Sequence, residues 1–169
     1  MRKYLQIVDR HRATKGARFV NILIDRITFN LLFFAAGFLG GILDGILGIY
    51  YFTKFFDQLS ELGKFADIII TSIIFFFYIF LIEYFTKGRS LGKFVTGTKV
   101  IMTDATEPTI KDCFIRNIIR LVPFDALSFF GQNGWHDSWS DTLVIDIKNY
   151  ESEKQTKSDI DSLGNKEIA

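Results

Sequence analysis

The chain has a single cysteine, Cys113, so no disulfide can close within it and no cysteine-based metal site can form. It also lacks an excess of charge. Its 20 Lys and Arg against 19 Asp and Glu leave a net charge of +1, whereas binding to phosphate backbones needs a marked basic surplus, so no nucleic-acid partner is expected. No group of His, Cys and carboxylate residues has ligand spacing, and no metal or cofactor is expected. The opening residues lack an apolar run of signal-peptide length. The stretch from Tyr4 to Val8 is cut off by Asp9, Arg10, His11 and Arg12, so no cleavage is expected. Nor is there a nucleophile in a recognisable context, and no enzymatic activity is expected. The segment Gly88-Arg89-Ser90-Leu91-Gly92-Lys93 is one residue short of a phosphate loop and is followed by Phe94 where Ser or Thr is required.

What the chain does have is apolar residues in concentrated blocks. Hydrophobic residues make up 49%, yet 23% of residues are charged, and both figures fit only if the two kinds are segregated. Phe occurs 19 times, mostly between Phe19 and Phe85. Crossing a hydrocarbon layer of about 30 Å takes about 20 mainly apolar residues. Two segments qualify, over about 18–42 and 66–86, and the second carries no charge from Ile68 to Ile82. The glycines between Gly40 and Gly45 mark where the first helix bends or stops.

Charge orients the pair. Arg2, Lys3, Arg10, Arg12, Lys15 and Arg18 lie at or before the start of the first span. Lys87, Arg89, Lys93 and Lys99 follow the second, while Lys54 and Lys64 between the spans are offset by Asp57 and Glu61. Lys and Arg resist translocation, which predicts a multi-pass hairpin in the cell membrane with both termini cytoplasmic and residues 50–65 outside.

Three further elements are predicted. Residues 109–130 read as an amphipathic interfacial or re-entrant helix: Lys111, Asp112, Arg116, Asn117 and Arg120 make one side, and Ile115, Ile118, Ile119 and Val122 the other. Pro123 should kink it. Thr98 to Met102 and Thr142 to Ile147 are β-rich and predict a small two-stranded cytoplasmic element. Residues 149–169 are polar and without period, and a disordered tail is expected. The chain thus divides into a basic N-terminal segment (1–16), a largely α-helical membrane domain (17–148) and the tail.

Polar residues inside the spans are the candidate sites. Arg18, Asn21, Asp25 and Thr28 share one helix face. Asp25 lies about 10 Å along the axis from Arg18. A lone carboxylate there costs on the order of 3 kcal/mol, so it must be paired, protonated or turned to water or another helix. It is either a site for a cation or proton, or a structural Arg–Asp clamp. Arg26 is expected to snorkel to the headgroups. Glu83, near the C-terminal end of its helix, needs a partner, for which Lys87, Arg18 and Arg116 are candidates. Gly37, Gly41 and Gly45 recur every four residues, a spacing that either admits another helix or loosens the helix end. Trp135-His136-Asp137-Ser138-Trp139 is either a headgroup-level anchor or an acid–base pair.

Together these residues resemble the RDD family of membrane proteins. Arg18, opening the first helix, and Asp25 within it match the family's arginine and first aspartate. The segment from Gly88 to Lys93, leading into Gly97-Thr98-Lys99-Val100, is similar to the family's glycine–lysine segment. Arg116-Asn117-Ile118-Ile119-Arg120 is similar to its later helix, and Asp137 in Trp135-His136-Asp137 to its second aspartate. Arg26 beside Asp25, and Ser138-Trp139, depart from the family pattern. The resemblance covers about residues 17–147 and implies transport, with cation/proton exchange one form. Two spans cannot enclose a polar path, so a transporter would have to be a homo-oligomer or join another membrane protein. The alternative is a non-transporting scaffold or accessory subunit binding a partner protein or the lipid surface.

Overall fold

The computed structural model describes residues 6–120 and 140–166. Its elements in chain order are α1 (Gln6–Arg10), α2 (Lys15–Leu47), α3 (Tyr51–Glu61), α4 (Lys64–Phe85), α5 (Leu91–Thr96), β1 (Thr98–Met102), α6 (Ile110–Ile119), β2 (Thr142–Asp146) and α7 (Ile147–Lys166).

The two apolar runs become α2 and α4. Thr14 starts α2 by accepting the Ala17 N–H (3.2 Å), and Gly48 ends it in the left-handed conformation, its N–H bonded to the Asp44 carbonyl. The helix thus continues past residue 42. Its glycines do not stop it, because its end is set by Gly48. Only 11% of the most apolar stretch of each long helix is buried in the protein, so neither is the core of a soluble domain. Phe34, Phe38, Ile68 and Phe77 project outward. α2 and α4 meet through Phe29, whose ring lies 5.1 Å from Phe75 and 5.5 Å from Tyr78.

Residues between the spans, expected as a loop, form α3. This helix folds back on α2. Phe56 sits 3.2 Å from where a Cβ on Gly37 would lie, and Phe52 only 2.7 Å from one on Gly40, so α3 packs this closely because Gly40 has no side chain. The glycine series is thus split in use: Gly37 meets the protein's own α3, whereas Gly41 and Gly45 have nothing within 4 Å.

At the other end of the long helices lies a small platform. β1 and β2 pair antiparallel as the sequence predicts, Thr98 opposite Asp146 and Met102 opposite Thr142. Alternation sends Ile101, Leu143 and Ile145 to one face with Val8 and Tyr150, and Val100 and Val144 to the other with Ala13. The N-terminal segment adds beside β2, with the Ala13 N–H on Val144 O (2.8 Å) and the Asp146 N–H on His11 O (2.9 Å).

The expected tail is instead the helix α7. Its first turns are held to the platform, because Tyr150 enters the core and Glu153 receives His11 (2.5 Å) and Arg10 (3.1 Å). α6 also departs from expectation. Arg116 and Asn117 point inward and are buried, while Phe114 and Ile118 are exposed. Arg116 and Asn117 face a buried charge on α4, Ile119 is buried with them, and Lys111 stays exposed. Phe114 packs on Phe76 (5.5 Å) and Phe80 (5.8 Å) of the same helix. The remainder of the predicted 109–130 helix, with Pro123, lies outside the described residues.

Candidate functional site

Most of the buried polar side chains gather where α2 and α4 enter the platform; Asp44, at the far end of α2, does not. Asp25 is 3% exposed, and both of its oxygens are taken: one accepts the Ser90 hydroxyl (2.6 Å), the other the Gly92 N–H (2.7 Å). Ser90 is the N-cap of α5 and Gly92 lies in its first turn, so Asp25 caps a helix that arrives 65 residues later in the chain. The sequence reading leaves ion site or clamp to Arg18 open. In the structure both oxygens are engaged at the start of α5. Arg18 itself is buried, and its Nε donates to the Ala13 carbonyl (3.2 Å).

Gly92 makes the docking feasible. A Cβ there would stand 2.3 Å from the backbone oxygen of Asn21 and 2.8 Å from its Cα. Helix α5 therefore rests directly on the backbone of α2. Asn21 completes the joint. With its amide oriented so that both ends are satisfied, it donates to Ala17 O (3.2 Å) and Gly92 O (3.1 Å) and accepts from Thr98 Oγ1 (2.9 Å).

Glu83 is the centre of the second half. It is fully buried and is met by Lys93 Nζ, by Asn117 Nδ2 (3.0 Å), by Arg120 Nη1 (3.4 Å) and by Arg116 Nε (3.8 Å). Of the three expected partners Arg116 is present, while Lys87 pairs with Glu107 instead (3.4 Å). Arg116 continues to Thr142 Oγ1 (2.8 Å), which lies 2.7 Å from Ser140 Oγ. Lys93 Nζ is also 3.4 Å from Ser90 Oγ. A single polar chain thus runs from Asp25 through Ser90, Lys93 and Glu83 to α6 and β2.

Burial draws the Lys93 ammonium below its ordinary value; the Glu83 carboxylate opposes this, and Arg120 and Arg116 reinforce it. Burial, with Glu83 nearby, pushes the Cys113 thiol up to about 11, so it is inert at neutral pH.

Of the residues the sequence points to, Asn21, Asp25, Glu83, Arg116 and Arg120 lie in this cluster, while Arg18 is buried one turn before Asn21 on α2 with its Nε on the Ala13 carbonyl. Sequence reasoning missed Ser90, Gly92 and Lys93 as site residues, although their segment carried the family resemblance. Asn117, expected only as part of the polar side of an interfacial helix, is buried against Glu83. Asp137, with Trp135 and His136, lies outside the described residues. Arg26 does not reach only for headgroups, since its guanidinium lies 4.5 Å from the centre of the Phe75 ring. Asp44, the other acid within α2, has its own role: it accepts the N–H groups of Tyr51 (3.1 Å) and Thr53 (2.7 Å) and the Thr53 hydroxyl (2.9 Å), capping α3.

The family model described as RDD family matches residues 12–145, which takes in both long helices, β1, all of β2 but Asp146, and every residue of the cluster. No curated protein and no solved structure matches the chain significantly.

Proposed function

The chain belongs to the RDD family of membrane proteins, and we propose that it serves as a non-transporting scaffold or accessory subunit in the cell membrane, its platform on the cytoplasmic side. One observation carries this reading: both oxygens of Asp25 are committed to the start of α5. A carrier's acid must exchange its partners for the ion it moves. A carboxylate that holds a backbone N–H and a cap hydroxyl would have to release a helix to do so. Glu83 is engaged in the same way, by Lys93, Asn117 and Arg120. The orientation rests on Lys and Arg at the platform end of both long helices.

The test is ion flux in liposomes holding the purified protein, with Asp25→Asn alongside. The expected result is proton and sodium flux no greater than in empty vesicles for both proteins. Flux in the wild type that Asp25→Asn abolishes would overturn the proposal.

A second reading, cation/proton exchange, is favoured by the linked series Asp25, Ser90, Lys93 and Glu83. Each neighbour in it is joined by an exchangeable proton, the longest step being 3.4 Å. The same flux measurement separates the two.

A further inference from the structure

Asp25 and Asp44 each cap a short helix beside α2, at opposite ends of its apolar stretch. At helical rise the nineteen steps from one to the other span about 28 Å, close to the thickness of the hydrocarbon layer. The start of a helix cannot be left in hydrocarbon with its N–H groups unmet, so the two caps mark the two edges of the lipid-facing part. Three polar side chains lie on α2 between those edges. Arg26 stacks on Phe75, and the Thr28 hydroxyl donates to Ile24 O (2.8 Å). The third is Asn30, about 7 Å inward of Asp25. It is exposed and has no hydrogen-bond partner among the described residues.

A groove of about 520 Å³ between α2 and α3 is lined by Asn30, Phe34, Gly37 and Gly41 of α2 and by Phe56 of α3. Thr53 and Asp57 also line it, from α3. Asn30 and Gly41, eleven residues apart, fall within about 20° of one helix face. We infer that this groove seats a second copy of the chain, packed in parallel about a two-fold axis along the bilayer normal, with the two Asn30 amides hydrogen-bonded to each other.

The carboxamide selects this occupant. It carries a donor and an acceptor, so two copies related by a two-fold axis satisfy one another through the same residue. A lipid tail offers neither group. The open backbone at Gly41 lets the second copy approach, whereas Gly37 is already covered by Phe56. The docking face is therefore Asn30 and Gly41 with the flank of α3, not the whole glycine series. This inference goes beyond the proposed function and holds whether or not the chain moves ions.

Disulfide trapping in native membranes tests the geometry. Cys113 is buried and inert, so an introduced thiol reports alone. Oxidation should link Asn30→Cys into dimers and leave Leu32→Cys, which points about 200° around the helix, monomeric. Sedimentation of the purified full chain in mild detergent tests the energetics. Asn30→Leu should weaken self-association about tenfold, the usual scale of a hydrogen bond between membrane helices. Gly41→Leu, at a position where an added Cβ meets nothing within 4 Å in one copy, should leave a folded monomer. Preferential linking through Leu32→Cys would overturn the inference. So would wild-type association in both the Asn30→Leu and Gly41→Leu proteins, or a wild-type monomer that co-purifies with lipid in the groove.

Discussion

Replacing Gly92 by alanine tests whether the platform rests on the backbone of the first long helix. The new Cβ would stand 2.3 Å from Asn21 O, 2.8 Å from its Cα and 2.9 Å from its carbonyl carbon. Carbon–oxygen contact begins near about 3.4 Å, so α5 must withdraw by about 1 Å. The obstacle is helical backbone, which cannot swing aside as a side-chain tip would. That withdrawal stretches the Gly92 N–H bond to Asp25 from 2.7 Å to beyond hydrogen-bonding range. Overpacking of this kind costs about 1–3 kcal/mol, and losing a hydrogen bond to a charged acceptor about 1.5–3 kcal/mol. Alanine's better helix propensity returns about 1 kcal/mol. The net cost is about 2–5 kcal/mol, a fall of roughly 5–15 °C in midpoint for a chain of this size. The assay is thermal unfolding in mild detergent at one scan rate, with Gly41→Ala as the control because that site is open. A Gly92→Ala midpoint within about 2 °C of wild type would refute the docking of α5 on α2. Equal losses from both variants would refute it too.

Glu83→Gln removes the carboxylate that the Lys93 ammonium faces in a fully buried site, and should cost about 3–5 kcal/mol. Adding Lys93→Met should recover part of that loss, since the stranded charge leaves with it. A double variant melting below Glu83→Gln would count against the pairing. The contact of α7 with the N-terminal segment should depend on acid. Glu153 is held below its ordinary value of 4.5, first by the hydrogen bond from His11 and then by Lys157 and Arg10. A depressed carboxyl adds stability above its unfolded value and loses it as pH falls through the folded one. Hydrogen exchange in the first turns of α7, corrected for intrinsic rates, should therefore quicken below about pH 4.5, and Glu153→Gln should remove that acid-dependent part. Unchanged protection between pH 6 and 3 in the wild type would contradict it.

The apolar architecture was legible because it is written locally. A charge-free run from Ile68 to Ile82 has one reading, and the β-branched residues of 98–102 and 142–147 mark two strands that do pair, the second ending one residue earlier, at Asp146. The stripe of Arg18, Asn21 and Asp25 was legible as a face, but not what it faces. Its partner segment, Ser90 to Thr98, lies far along the chain and carries no helical period of its own. The inward turn of Arg116 and Asn117 on α6 is hidden for a related reason. Polar residues on one side of a helix face water by default, and only a buried acid on another element reverses them. Glu83 supplies that acid, and Arg116 and Asn117 turn inward to it. α7 has no apolar stripe to announce it. Its order starts from Tyr150 and Glu153, whose contacts with Val8, His11 and Arg10 bridge more than 140 residues of sequence.

An aspartate inside an apolar helix invites an ionic explanation, and the two in α2 allow that explanation to be weighed internally. Asp44 sits where no cation network exists among its partners, and it receives only backbone N–H groups and the Thr53 hydroxyl at the start of α3. Asp25 receives the same kinds of donor, one N–H and one hydroxyl, at the start of α5. The common factor is a helix that begins beside α2 and needs its first N–H groups met, with the positive end of its dipole favouring a carboxylate. Attachment of a short helix is therefore a sufficient cause for both acids. The Lys93–Glu83 lattice is then the means by which α4 and α6 grip the element that Asp25 has already fastened, since Lys93 sits one residue after the capped Gly92. On this ordering, loss of Asp25 should loosen Lys93 from Glu83 as well, whereas loss of Glu83 should leave the Asp25 cap in place.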